Sequence, residues 1–383
     1  MTTPFDMRLV QCGARLRRTP YFEATQRYGP KGFTVYNHMF FPIRYAELEE
    51  EYWHLLEHVT LWDVSVERNV EITGPDAFAF TNLLTPRDLS KCPVGQGKYV
   101  IITAADGGII NDPVLMRLGE NHFWLALADS DVLLWAKGVA VGAGMKVNLT
   151  EPDVSPIQIQ GPKAKAVVET LFGDRAMQLG YYHFFETQLD GIPVIVTRTG
   201  WTAEVGYEIY LRDGSRGVEL WERVMAAGKP HNIKPTGPSD IRRIEAGILN
   251  WGADMTLDNN PYEVGLGWLV DADKKANYIG KEALAKIKAA GVKRKLAGVE
   301  IDGAPIPFNP IKWPVSKDGK RVGHVTSATY SPRLKKNIGY VMVPSEHAAL
   351  GGKLVVDIPD VGQRQATVVP KPFIDPKKDI PKS

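Results

Sequence analysis

One short pattern occurs twice in this chain and constrains its fold more than any other feature. Residues 70–84 read VEITGPDAFAFTNLL: an alternating strand, the pair Gly74-Pro75, then an apolar run at helical spacing. Residues 157–172, IQIQGPKAKAVVETLF, repeat the strand, the Gly161-Pro162 punctuation and the helix, 87 residues further on, at 161 against 74. Proline is favoured at the first helical position, so each helix is expected to open there. Strands are expected after the first pair near 99–103, 113–118 and 122–127, then a helix around 131–142 and a strand at 145–149. The second pair is followed by strand patterns near 192–197 and 207–212 and a helix around 216–228. Each unit approximates the split β-α-β arrangement. The reading is an α+β fold built on an internal duplication of ferredoxin-like subdomains, near 70–150 and 155–250. The cleft between two such halves is a common place for a ligand.

The flanks differ in texture. The first 45 residues mix Arg, Gly, Pro and aromatics without clear period, and 46–59 has the spacing of an amphipathic helix. Residues 237–250 predict a helix opening at Pro238 or Ser239, and 281–290 a short helix ending at Gly291. From Arg294 to about Pro372, short alternating runs are separated by turn residues every 8–12 positions, which predicts a small antiparallel sandwich or barrel. Two regions are therefore expected, 1–290 and a C-terminal β domain over 291–375. The polar tail FIDPKKDIPKS is expected to fray.

Composition removes several classes. With 44% hydrophobic and 23% charged residues the chain is globular in type. A net charge of +2 leaves no electrostatic footprint for nucleic acid. No run approaches the roughly 18 apolar residues of a membrane span. Two cysteines, Cys12 and Cys92, cannot form a disulfide framework, and the N-terminus lacks a signal-type apolar core, so a reducing, cytoplasmic setting is expected. Walker, Gly-x-Gly-x-x-Gly, Gly-x-Ser-x-Gly and His-Glu-x-x-His motifs do not occur. His54 and His58 are four apart on a helix but have no third ligand at a useful spacing, so no metal is expected.

Asp112 lies in the turn GGIINDPV, where an Asp serves either the turn itself or a site. Glu208 interrupts an apolar, aromatic strand, so it either faces solvent or takes a partner. The duplication suggests that these two acids sit at matching points of the two halves. Tyr99 begins a strand after Lys98 and reads as core or as site.

An ordered series of motifs carries more. It comprises RRTPYF at 17–22, WDVS at 62–65, GPDA at 74–77, GGIINDPV at 107–114 and QGPKA at 160–164. RTGWTAEVGYEIY at 198–210, RRIEAGILNWGADM at 242–255, NNPYEVGLGW at 259–268 and VTSATYSPRLKKNIGY at 325–340 continue it. From Arg18 to Phe373 the chain resembles the tetrahydrofolate-dependent aminomethyltransferases, the T-protein of the glycine cleavage system and its relatives. The resemblance implies a three-lobed cloverleaf with tetrahydrofolate in a central cleft and a C-terminal β-barrel. It implies that Asp112 is the catalytic aspartate, Glu208 the pterin contact, and Tyr99 and Trp201 walls of the folate cleft. Lys98, Trp201 and Tyr210 are expected on the substrate side. Ser239 stands where these relatives carry an arginine facing the carboxylate end of folate.

GFTVYNHM at 32–39, EHVTLWDVSVERNVEI at 57–72 and ADSDVLLWAKG at 128–138 resemble the dimethylsulfoniopropionate demethylases of that family more closely. Asp63-Val64-Ser65 is followed by Val66-Glu67-Arg68, where glycine-cleavage enzymes carry His-Met-Gly-Glu. The resemblance thus implies a demethylase that moves a methyl group from a small methylated carboxylic acid to N5 of tetrahydrofolate without an obligatory lipoyl carrier protein. The donor is a sulfonium or a methoxylated aromatic acid, with Lys98 a candidate charge for the latter. The alternatives are a glycine-cleavage-type aminomethyltransferase and a non-catalytic folate binder.

Overall fold

The computed structural model describes residues 13–383, so Cys12 lies outside the described residues; Cys92 is a buried free thiol. The duplication is visible strand by strand. In the first unit Asn69–Thr73 leads through Gly74 into the helix Ala77–Leu84, and its sheet runs Asn148–Thr150, Asn69–Thr73, His122–Ala126, Val114–Gly119, Gly97–Tyr99. In the second, Ser155–Gln160 leads through Gly161 into Ala164–Phe172, and the order is Ile233–Pro235, Val59–Asp63, Ser155–Gln160, Gly206–Leu211, Ile192–Thr197, Phe184–Leu189. The two orders coincide except that Val59–Asp63, from before the first unit, inserts into the second sheet. It pairs antiparallel with Ser155–Gln160 and parallel with Ile233–Pro235.

The two glycines are required by geometry. Their φ values are +117° and +123°, and a Cβ would lie 2.8 Å from the Lys146 carbonyl oxygen at Gly74 and 2.5 Å from that of His58 at Gly161. The prolines do not open the helices. The Ala77 N–H donates to the Gly74 carbonyl at 3.1 Å and Ala164 to Gly161 at 3.0 Å, so each proline occupies the second position of a tight turn, where its fixed φ also fits. The helices begin two residues later than the pattern predicted.

Each unit buries its own apolar core, around Phe80, Leu115 and Phe123 in the first and Ile159, Tyr207 and Trp221 in the second. The third lobe is a closed barrel of Arg294–Ile301, Lys336–Pro344, Lys320–Ser331, Trp313–Lys317, Lys353–Ile358 and Gly362–Val369. Of the two arrangements the alternation allowed, the barrel is the one formed. The barrel strand Trp313–Lys317 carries Pro314 in its second position.

Three further expectations change. The first 45 residues hold a hairpin, Gly32–Tyr36 with Met39–Arg44, turned by Asn37 and His38 at φ 46° and 64°. The helix expected over 237–250 is only Asp240–Glu245, because Gly247 turns the chain at φ +71° against Pro372. The tail does not fray: the N–H groups of Phe373 and Ile374 donate to the Glu245 carbonyl at 2.9 and 3.0 Å, and Phe373 stacks on Tyr340. Among the described residues no helix is long and apolar enough to cross a membrane.

Candidate active site

Where the lobes meet lies a cavity of about 1150 Å³, larger than the roughly 300–1,000 Å³ of common ligand pockets and roomy enough for two ligands side by side. Its walls are rich in aromatics, among them Trp62, Tyr99, Tyr181, Tyr182, Trp201 and Trp268, and of its five acidic lining residues Glu51 and Asp240 are engaged by neighbouring donors, while Glu67, Asp112 and Glu208 form the set described below.

Asp112 follows Asn111, whose side chain pins the turn. Its amide donates to the Ala128 carbonyl at 2.9 Å and to Ser130 Oγ at 2.8 Å, and its oxygen accepts from the Ala128 N–H at 3.1 Å. The Tyr99 hydroxyl donates to Asp112 Oδ2 at 2.8 Å, leaving Oδ1 without a side-chain partner among the described residues. Burial pushes the carboxyl up to about 7, offset in part by the Tyr99 hydrogen bond, and Asp254 adds to the rise. A carboxyl poised there exchanges protons near neutrality.

Glu208 is 3% exposed and has three protein donors. Gln158 Nε2 reaches Oε1 at 2.7 Å, while Thr199 Oγ1 and Tyr210 Oη reach Oε2 at 2.6 and 3.0 Å. A carboxylate offers about four acceptor sites, so a ligand N–H still finds one. Burial raises Glu208 above its ordinary range, and these hydrogen bonds lower it. Gln158 sits directly across the ladder from Glu208. Its own carbonyl oxygen is buried and unpartnered.

Glu67 completes the set. No side-chain hydrogen bond or ion pair holds its carboxyl among the described residues, and burial together with the nearby Glu208 and Asp112 pushes it well above the carboxylate range.

The structure thus brings Tyr99, Asp112, Trp201 and Glu208 to one cavity, and two expected residues elsewhere. Lys98 alternates with Tyr99 along its strand and faces away, its charge falling near Cys92; it is not among the lining residues. Tyr210 is fully buried behind Glu208, packed on Trp124, and reaches the cavity only through that carboxylate. Trp201 lines the cavity, but the Arg243 guanidinium already lies 5.6 Å from its ring centroid, so one face is engaged. Ser239 caps its short helix by accepting from the Arg242 N–H at 3.3 Å.

Asp112 and Glu208 are not at matching points. Sheet order pairs Val114–Gly119 with Ile192–Thr197 and His122–Ala126 with Gly206–Leu211, so the two acids belong to different strands of the repeat. The His54 and His58 rings lie 4.8 Å apart, tilted at 41°, but His54 meets the Asn232 carbonyl and His58 meets Lys163.

Glu67 and Gln158 were missed. Glu67 stood only as a departure from a motif. Gln158 belongs to an IQIQ alternation that reads as one solvent face, yet Gln158 and Gln160 are both buried. The available signal was a polar strand opposite another polar strand position, Glu208, within the same repeat.

Comparison with known proteins places these observations. Residues 5–274 match the GCVT N-terminal domain and residues 294–375 the glycine cleavage T-protein C-terminal barrel domain. The chain is 40% identical to a dimethylsulfoniopropionate demethylase of Ruegeria pomeroyi over 92% of its own length and 96% of that protein. It is 32% identical to an aminomethyltransferase of Bacillus cytotoxicus, over 94% and 98%. The crystal structure of the glycine cleavage system aminomethyltransferase T of Bartonella henselae superposes with a TM-score of 0.83 at 25% identity, covering 94% of this chain and 98% of that one.

Proposed function

Because the chain belongs to the glycine cleavage T-protein family, we propose that it is a tetrahydrofolate-dependent demethylase acting on a small methylated carboxylic acid, with a sulfonium as the preferred donor. The carrying observation is the acid-lined aromatic cavity, in which Glu67 faces the ligand space with no side-chain partner of its own among the described residues. A cationic methyl donor suits that wall, through ring faces and by drawing the raised Glu67 carboxyl into its ionised form. A methoxylated arene instead expels a phenoxide and needs a positive group; Lys98, the residue expected to supply it, is turned away, which leaves Arg44, Lys371 and Lys378 as the basic lining residues. The 40% identity to a dimethylsulfoniopropionate demethylase supports the same direction.

The residues fit tetrahydrofolate. The unpartnered Gln158 carbonyl and the remaining acceptor site of Glu208 suit the N–H edge of a pterin, a charge-assisted contact on the glutamate side. When bound, tetrahydrofolate supplies the N5 nitrogen that takes the methyl group. Tyr210, Thr199 and Gln158 hold Glu208 in place, Tyr99 orients Asp112, and Asp112 Oδ1 is the atom free to receive the proton displaced from nitrogen. Much of the remaining effect is alignment of donor and acceptor in one cavity.

The test incubates purified protein with tetrahydrofolate and, separately, dimethylsulfoniopropionate, a methoxylated aromatic acid, or a lipoyl carrier protein loaded with an aminomethyl group. Formation of 5-methyl-tetrahydrofolate with the sulfonium alone is the expected result. Methylene-tetrahydrofolate formed only with the loaded carrier would replace this reading by the aminomethyltransferase one.

A further inference from the structure

We propose that the C-terminal tail supplies, through Lys371 and Lys378, the subsite for the carboxylates at the glutamate end of folate; this rests on the folate reading above. The tail is fixed at both ends. Phe373 and Ile374 are bonded to the Glu245 carbonyl, and Arg198 of the second unit holds the Ser383 carbonyl oxygen. Between these anchors the tail runs along the cavity and contributes Pro376, Lys378 and Pro381 to its lining, with Lys371 just before them.

Neither lysine forms an ion pair among the described residues. The one side-chain polar contact of Lys371 is the Val264 carbonyl at 3.4 Å, and its charge lies 5.4 Å from the Tyr340 ring centroid. Burial draws Lys371 down to about 8 and also lowers Lys378. A partly desolvated cation facing a cavity without an ion-pair partner is stabilised by an anionic ligand. The charges that act on these lysines are Asp254 and Lys382, whereas Glu67, Asp112 and Glu208 act on one another or feel Asp254. Carboxyls from the body of the chain and two cations from the tail thus line one cavity. A ligand that matches both carries N–H donors at one end and carboxylates at the other. Arg44 also lines the cavity, but it adjoins Tyr45, whose N–H is bonded to the lining carboxylate Glu51.

The test measures, by calorimetry on the full chain, binding of tetrahydrofolate, of its triglutamate form and of a tetrahydropterin lacking the aminobenzoylglutamate. Lys371→Met is expected to raise Kd for tetrahydrofolate about tenfold or more, as for a lost charged hydrogen bond. Lys378→Gln, at an exposed position where the change leaves the fold intact, is expected to raise it about threefold. The triglutamate should lose more, and the tetrahydropterin should be unaffected by either change. Folded variants with unchanged folate affinity, or with equal losses for the tetrahydropterin, would overturn the subsite. The donor's carboxylate is the competing anion: a rise confined to donor KM would assign the lysines to the donor instead. Wild-type protein that binds none of the three ligands would refute the folate reading itself, an outcome distinct from loss of discrimination in the variants.

Discussion

Tyr99→Phe isolates one interaction on which the proposed proton transfer depends. The hydroxyl donates to Asp112 Oδ2 at 2.8 Å and is the foremost contact favouring the ionised carboxyl, which burial has pushed up to about 7. A hydrogen bond to a charged group contributes about 1.5–3 kcal/mol. At 1.36 kcal/mol per pKa unit, its loss should raise Asp112 by about 1–2 units, toward 8–9. A base must be ionised to act, so at pH 7 the active fraction should fall from about one half to between about 7% and about 0.6%. Turnover at pH 7 should drop by roughly 7- to 80-fold and recover as pH rises past 9. The assay is the pH profile of kcat/KM, followed through 5-methyl-tetrahydrofolate formed. A profile that drops uniformly at every pH would assign Tyr99 to ligand packing alone. An unshifted profile at full rate would refute the coupling between Tyr99 and Asp112.

Asp112→Asn should abolish most turnover, since general acid–base groups contribute about 100- to 10,000-fold, yet stabilise the fold above neutrality. The folded-state value near 7 lies above the ordinary 3.8, so the destabilisation is absent below about 3.8, grows as pH rises between the two values and is complete above about 7. The gain, read as a denaturation midpoint at pH 8 against pH 5, has an upper bound of about 4 kcal/mol. Glu208→Gln places an amide against three donors and should weaken folate binding by about 1–3 kcal/mol, read by calorimetry. Glu67→Gln should raise KM for a sulfonium donor while sparing a neutral methyl ether; equal effects on both would remove its cation-selective role. Arg243→Met strips the ion-pair partner from Asp254, which is 1% exposed, and should cost about 3–5 kcal/mol in urea denaturation.

How much was legible depends on whether the information was local. Gly74 and Gly161 announce the duplication because each must adopt positive φ beside a backbone carbonyl, a requirement written in one residue. Asp112 stood out because its turn chemistry is local, and Glu208 because a charge in an aromatic strand is anomalous in place. The hairpin at 32–44 was not legible: Asn37 and His38 take the left-handed conformation without glycine, and Asn37 is held by the Val66 carbonyl at 2.9 Å, 29 positions away. The tail read as frayed because its residues are polar, whereas its order comes from the Glu245 carbonyl and the Tyr340 ring. Lys98 was misassigned for a simpler reason, since the two-residue period of a strand sends it to the face opposite Tyr99.

The asymmetry between the halves explains why a duplicated fold carries an unduplicated site. Were the repeat strict, each sheet would present the same side chains to the cleft. The insertion of Val59–Asp63 into the second sheet breaks that equivalence. It places Trp62 and Val64 on the cavity wall and delivers the chain, through a turn closed by the Glu67 N–H on the Val64 carbonyl at 2.9 Å, to the Glu67 carboxyl. The same strand anchors the N-terminal segment, because Asp63 accepts from Thr19 at 2.5 Å and from the Ser65 hydroxyl at 2.8 Å. The first unit contributes Asp112 from the mouth of one strand and the second contributes Glu208 from the body of another. Three carboxyls thus arrive by three different routes, with three environments: one held by a tyrosine, one by three donors, one by none. Differences of that kind separate the roles of like groups in one site: proton acceptor for Asp112, ligand anchor for Glu208 and counter-charge for Glu67.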